Sequence, residues 1–558
     1  MDSGTKNSYI CQKIKLLKTF LYFLFFTFYS FLNAQGIIAS EKEVLVQIYQ
    51  QTDGKNWNRT WDLSADPSEW FGVNTNNGSV TELRLNGNLL HGKLPSLTGL
   101  KNLKVLDLSS NHLSGDLPSI NNLNQLELLD LSNNNFEGDV SNQFTNLTQL
   151  HTLSLGNNKL SLSTPDTFLN SFLNLKVLDL SNFNLQEIPS RVSSLNFIQE
   201  LNLSGNPIKS GFSHLSKLKS LKKLDLSSTQ MEAIPAEVNS LTQLISLNLS
   251  KNNLKENSIN GIENLNLLEW LSLDQNHLNS IPPALGKLEN LVYLNLSGNN
   301  LKENFAIIKH LSSLQYLNLS HNQIEGNFPN ELSQLEKLMF LSLSGNQLTG
   351  ELPNPLPPIT DISNNRFTSV HIKQYLIHSS QRVDFTYSPQ RYDEPTAIKT
   401  KIGASVNLTQ SLESSQGYSF QWLKSLDTKT NVSSENLRLN NITDKDFTLF
   451  TCEAYLSDKD IDISLFREPI SIEDGELGIE EVSKSKISIY PNPTADFVNI
   501  HTIETDINYT DIYDSSGKKL KTSRLKSIDL SYLPSGVYFI SIKTKNKETH
   551  LFKTRCAL

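Results

Sequence analysis

The sequence predicts an α/β-type solenoid, with a parallel β-sheet on its concave face and short helical or turn segments on its convex side, followed by two all-β sandwich domains. Three observations predict it. From Val80 onward the pattern L-x-x-L-x-L-x-x-N-x-L recurs with a period of about 23 residues. One asparagine column sets the register: Asn88, Asn111, Asn134, Asn158, Asn206, Asn252, Asn276, Asn299, Asn322 and Asn346. After about residue 384 the leucine period gives way to alternating apolar and polar residues bounded by Pro, Asp, Gly and Ser.

The repeat has a physical logic. Leu103, Leu106 and Leu108, or Leu291, Leu294 and Leu296, stand where a short strand turns its leucines into one core. A single unit cannot bury them. Stacked coils close that core and pair each strand with the next, so many units are needed and the ends need caps. The asparagine amide can satisfy backbone groups that the turn leaves unpaired, which makes the column a hydrogen-bonding ladder. Phe183 and Thr229 occupy the column at two repeats and Asn365 closes a shortened last unit, for thirteen units over residues 80–372. Threonine can serve partly and phenylalanine cannot, so an irregularity is expected in the coil containing Phe183.

Ahead of the repeats, Lys13, Lys15 and Lys18 precede the apolar run Phe20 to Leu32, which ends at Asn33-Ala34-Gln35. A basic start, a short apolar run and a small residue are the form of a signal peptide, expected over residues 1–34. The run is shorter than the roughly twenty residues a spanning helix needs.

The repeats resemble the plant-type class of leucine-rich repeats, in which units continue as Leu113-Ser-Gly-Asp-Leu-Pro118, Ile324-Glu-Gly-Asn-Phe-Pro329 or Leu348-Thr-Gly-Glu-Leu-Pro353. Gly and Pro are read there as punctuating a turn onto the outer face. Residues 35–79, with Gly54, Trp57, Trp61 and Trp70-Phe-Gly-Val73, resemble the N-terminal cap of that class. That class often has cysteines around the last tryptophan. None stands here, so the cap is expected to rest on aromatic packing alone.

Composition excludes several functions. The chain has 558 residues and a net charge of −8, but residues 35–483 hold 33 basic and 49 acidic residues, a balance of −16. An acidic middle argues against nucleic acid and against attraction to an anionic membrane. Cys11, Cys452 and Cys556 are too few and too scattered for a disulfide framework or a zinc site. No paired acid, base and nucleophile emerges, and neither a metal nor a cofactor is expected. Asp458, Asp460 and Asp462 alternate like the start of a calcium loop, but Ile463 replaces the glycine such a loop needs, and a charged hairpin is expected instead.

Two columns on the concave face are candidate ligand-binding positions. The residue before the central leucine reads Trp270, Tyr293, Tyr316 and Phe340 in four successive repeats, an aromatic row able to stack on sugar rings or grip a peptide. The same rings could simply stack on one another. The residue after that leucine reads Asp107, Asp130, Asp179 and Asp225, turning later to Asn248, Asn295 and Asn318. A carboxylate row can attract a cation, yet acids one strand apart repel, and aspartate is common at this position in the family.

In the C-terminal third, Gly403-Ala-Ser-Val-Asn-Leu-Thr-Gln410, Trp422 and Asp446 through Cys452 resemble an immunoglobulin-like domain, placed at 384–474 with Trp422 as its buried core. Gln410 stands where that family has its first cysteine and Phe450 where it has a corner tyrosine, so Cys452 is expected to be a lone buried thiol. Residues 484–558 carry Ile489-Tyr-Pro-Asn-Pro-Thr-Ala-Asp-Phe-Val-Asn-Ile500, Tyr513-Asp-Ser-Ser-Gly-Lys518, Ile528-Asp-Leu530 and Leu533-Pro-Ser-Gly-Val-Tyr-Phe-Ile540. These resemble the type A sorting domain of type IX secretion substrates, a small sandwich with Pro491 and Pro493 opening its first strand and a Ser-Gly hairpin at 516–517. The resemblance implies export across a Gram-negative outer membrane by the type IX machinery and its sortase, then attachment of the remainder to surface lipopolysaccharide, or release. Together these readings describe a non-enzymatic recognition or adhesion protein at the cell surface, with a protein or glycan ligand on the concave repeat face. The alternative is a structural spacer without a discrete ligand.

Overall fold

The computed structural model describes residues 37–302, 305–379, 384–412 and 417–475, and within the last segment 487–490, 497–502, 507–513, 519–524, 527–530, 533, 536–545 and 549–556. The signal-peptide reading of 1–34, Pro491, Pro493 and the hairpin at 516–517 lie outside the described residues. Two compact units divide the chain: Met1–Leu296 with Asn304–Leu317 and Gln334–Leu338, and Ser297–Glu303 and Asn318–Ser333 with Met339–Leu558. Among the described residues no helix is long and apolar enough to cross a membrane.

The first unit opens with the helix Ala39–Gln51 and a cluster of indoles. Trp61 stacks on Trp70 at 4.7 Å and meets Trp57 edge-on at 4.9 Å. Aromatic packing is not the cap's only support. The indole N–H groups of Trp57, Trp61 and Trp70 donate to the carbonyls of Thr52, Phe71 and Asp62 at 2.8, 2.9 and 2.8 Å. Buried Glu41 accepts the Val80 N–H at 2.6 Å, tying the helix to the first repeat. A buried indole or carboxyl needs such partners, which residue identity alone does not reveal.

Strand Val73–Asn76 pairs antiparallel with Ser79–Arg84, and from there the pairings run parallel as far as Trp270–Ser272 with Tyr293–Asn295. Three-residue strands follow in chain order, among them Val105–Asp107, Val177–Asp179, Glu200–Asn202, Lys223–Asp225, Ser246–Asn248, Trp270–Ser272 and Tyr293–Asn295. The central leucines Leu178, Leu201, Leu224, Leu247, Leu271 and Leu294 face one another in register and are buried.

The asparagine ladder forms. Asn111 Nδ2 donates to the carbonyls of Leu108 at 2.9 Å and Leu85 at 2.8 Å, and its Oδ1 accepts the N–H of Asn88 and Leu90 at 3.0 and 2.9 Å. Asn134, Asn206, Asn252, Asn276 and, in the second unit, Asn346 and Asn365 repeat the donation to their own coil and the preceding one. Thr229 serves partly through Oγ1, which donates to the Leu226 carbonyl at 2.7 Å.

The glycine-containing motifs are strands, not only turns. His91–Gly92, His112–Asp116, Asn135–Asp139 and Lys159–Ser161 form a second parallel sheet beside the first. In the second unit Glu325–Asn327 pairs with Gln347–Thr349 in the same way. Gly138 has φ 97° and a Cβ there would stand 2.8 Å from Asp116 Oδ1, so close neighbouring coils require glycine. The lateral sheet ends at the coil that Phe183 opens, where Asn182 and Asn184 both take left-handed backbone at φ 60° and 58°. The left-handed pair is not peculiar to the Phe183 coil, since Ser228 and Gln230 around Thr229 take the same conformations at φ 55° and 62°. Short helices such as Ser190–Ser194, Phe212–Lys217 and Ala236–Asn239 stand farther along their coils than those strands do, as Pro165–Leu169 does after Lys159–Ser161.

In the second unit Phe340–Ser342, Ile359–Asp361 and Asp384–Thr386 pair in parallel. The repeat sheet therefore passes the boundary expected at 384, and the next sheet opens at Gln390–Tyr392. Gln390 is fully buried; it donates to the Ile362 carbonyl at 2.9 Å and accepts the Phe367 N–H at 3.1 Å, closing the last coil. A seven-stranded sheet includes Ser419–Lys424, Leu449–Ser457 and Asp462–Arg467, and a two-stranded one pairs Val406–Leu408 with Leu437–Leu439. Trp422 is buried opposite Cys452, a free and buried thiol, and its indole N–H donates to the Ser434 carbonyl at 3.1 Å. Gln410 bonds Glu435 at 2.9 Å. The aspartates at 458, 460 and 462 turn an antiparallel hairpin, with Lys373 at 2.6 Å from Asp458. Further on, the sheets built on Phe497–Thr502 and on Gly536–Thr544 share a core of Val498, Ile500, Ile512, Ile528, Ile540 and Ile542.

Candidate functional site

Strand alternation turns the central leucine inward and its two neighbours onto the open face of the sheet. Trp270 and Tyr293 are in register on adjacent strands, and their rings lie 4.8 Å apart with 12° between planes. Tyr316 follows at 4.3 Å and 12°. All three rings are half-buried. Phe340 opens its own strand in the second unit. Because the three rings of the first unit stack face to face, both faces of Tyr293 are taken by its neighbours. A ligand meets the edges of the row and the outer face of Trp270, not each ring face in turn. Burial, and next the adjacent Tyr316, pushes the Tyr293 hydroxyl up to about 12, so it remains a donor at neutral pH.

The aspartate column has a local task. Ser109, Ser132 and Ser227 each donate backbone N–H and side-chain hydroxyl to Oδ1 of the aspartate two residues earlier, the hydroxyl at 2.7 Å in every case. Asp179 accepts the Ser181 N–H at 2.8 Å. Asn248 does the same for Ser250. The column is thus a row of turn caps, served equally by Asp or Asn, which explains their interchange along the sequence. Among the described residues no group of three or more His, Cys, Asp or Glu side chains is placed to hold a metal ion.

The column still has an electrostatic cost. Asp130 is held above the ordinary value of 3.8, chiefly by burial and further by Asp107 and Asp179, against its Ser132 hydrogen bonds. Asp179 is raised by burial, with Asp225 adding to it. A raised carboxyl contributes stability that is complete below the unfolded value and lost as pH rises through the folded one. Asp130→Asn with Asp179→Asn keeps the cap oxygen and removes both charges. The pair should raise the unfolding free energy at pH 7 by roughly 0.5–1 kcal/mol, a gain that closes below about pH 4. Denaturant midpoints at both pH values measure it.

Beside the aromatic stack lies an open groove of about 330 Å³, which residue-type reasoning missed. Its lining includes Asp179, Glu200, Lys223, Asp225, Ser246 and Trp270. Lys223 and Glu200 pair at 2.8 Å on adjacent strands. The signal was in the column that carries the aromatics, which reads Lys223, Ser246, Trp270 in register: a small residue directly precedes the first ring.

Comparison with known proteins identifies two families. The model described as "Secretion system C-terminal sorting domain" matches residues 488–553. Leucine-rich repeat models match 148–208 and 306–348, and further repeats at 102–123, 125–147, 267–288 and 290–311. No curated protein matches the chain. Among solved structures, PEPR1-AtPEP1 is 25% identical, over 65% of this chain and 53% of that one, with a TM-score of 0.44. The chain thus spans about half of that relative's length. The leucine-rich-repeat protein LIC12759 of Leptospira interrogans is 30% identical, over 54% of this chain and 78% of that one, with a TM-score of 0.46. An internalin of Listeria monocytogenes is 19% identical, over 65% and 92%, at 0.40. The chain is a leucine-rich-repeat protein with a type IX secretion sorting domain.

Proposed function

We propose that this is a non-enzymatic recognition protein of the outer surface of a Gram-negative bacterium, exported by type IX secretion, which binds a protein or glycan ligand through the concave face of its solenoid. The observation that carries the reading is the half-buried stack of Trp270, Tyr293 and Tyr316 on the open face of the sheet, with Phe340 at the same position one repeat on. Contiguous aromatic surface left in water marks binding faces, because its transfer out of water on association is favourable. In this reading the repeats are of the plant type. The two C-terminal regions are all-β sandwiches, the first immunoglobulin-like around Trp422. The sorting domain engages the secretion machinery and its sortase and is removed, leaving the remainder on surface lipopolysaccharide or released.

Alanine at Trp270, Tyr293, Tyr316 and Phe340 together should abolish capture of the partner that the exported protein recovers from its surroundings, while circular dichroism shows the solenoid intact. Undiminished capture would move the site off this face. Loss of adhesion only when the whole array is deleted would favour the spacer. Intact mass of surface material should show a chain beginning near Gln35 and ending before about residue 484, absent from a strain lacking type IX export. A full-length chain held inside both strains would overturn the localisation.

A further inference from the structure

We infer that the groove over Ser246 seats one pyranose ring of a glycan, stacked on the outer face of Trp270; this rests on the recognition reading above and names its ligand class. The aromatic column runs at a spacing of 4.3–4.8 Å from Tyr316 to Trp270 and then breaks, because Ser246 carries no ring. Lys223 is the next side chain in register. It lies two strands from Trp270, or about 9.6 Å, which leaves room for a single ring layer at the spacing the column already uses. That layer is one end of a longer groove, about 330 Å³ in all, which continues over Lys223 and Glu200 to Asp179.

The chemistry around that layer selects the ring. One wall is an indole face, which suits the C–H face of a sugar. The rest is polar: the carboxylates of Glu200 and Asp225 accept hydroxyl hydrogens, the Lys223 ammonium donates, and the Ser246 hydroxyl can do either. An aromatic side chain of a peptide would fill the layer equally well. Lys223 already pairs with Glu200 at 2.8 Å and Asp225 accepts from Ser227 and Asn248, so only their remaining N–H groups and lone pairs, with the Ser246 hydroxyl, would lose water without gaining a partner along an aromatic edge. A pyranose presents an apolar face and a hydroxylated rim, and both are matched.

The test uses the exported protein on an array of neutral and amino-sugar oligosaccharides, with calorimetry on whatever is retained. Ser246→Tyr continues the stack into the groove with a residue the same column carries at 293 and 316. Trp270→Ala removes the platform. Each should weaken glycan binding by about tenfold or more, whereas Tyr316→Ala, two strands beyond the groove, should change it by less than about twofold. A blank array, or glycan binding indifferent to Ser246→Tyr, overturns the assignment. If a protein partner is captured, lost in the four-alanine variant and kept in Ser246→Tyr, the recognition reading stands and the pyranose assignment falls.

Discussion

Asn252→Leu should destabilise the solenoid by about 3–5 kcal/mol, although leucine matches asparagine closely in size and is apolar. The buried amide of Asn252 donates to Leu226 O, Leu249 O and Ser250 O at 2.9, 3.0 and 3.2 Å, and its oxygen accepts the N–H of Thr229 and Met231 at 3.0 and 2.9 Å. Leucine supplies none of these bonds. It leaves backbone groups of two adjacent coils without partners where water does not reach, and each such group costs on the order of 1–3 kcal/mol. Since coils touch only their neighbours, the loss should be local. Hydrogen exchange should show the coils around 226–254 losing protection while those around Asn111 keep it. Uniform protection in the variant would mean that leucine packing alone holds the coil.

Trp61→Ala should be comparably severe, about 3–5 kcal/mol, and should act on the end of the solenoid. Trp61 lies between Trp57 and Trp70 and donates to the Phe71 carbonyl at 2.9 Å. Its loss opens a cavity between the indoles of Trp57 and Trp70 and frees a carbonyl in a cap that has no disulfide to retain it. Limited proteolysis should then cut first between the helix Ala39–Gln51 and strand Ser79–Arg84, and tryptophan fluorescence should shift red before the repeats unfold. Resistance equal to the parent protein would transfer the cap's stability to Glu41 and its bond to Val80.

Repeats, their register and the ladder were legible because they depend on short-range rules applied many times. A strand places leucines inward by alternation, and an amide at a constant offset from them reaches equivalent carbonyls from Asn111 and Asn134 to Asn346 and Asn365. The gap in the ladder at Phe183 was legible for the same reason, as a position where the rule lacks its functional group. Both candidate columns were legible as positions on the sheet. Their roles were not, because a role depends on what else comes within reach.

Sequence alone determined that the chain is a stack of parallel coils read through its asparagines, and that a sorting domain, matched over residues 488–553, follows them. Tertiary structure decided the rest. The glycine motifs became a lateral sheet, Asp384–Thr386 and Gln390 completed the last coils, and the aspartates became turn caps. The aromatic row spent its faces on itself, leaving the outer face of Trp270 over Ser246. The physical reason is common to all of these. Backbone pairing repeats with the sequence, but whether a side chain is satisfied depends on neighbours about 23 residues away, whose proximity exists only after the coils have stacked.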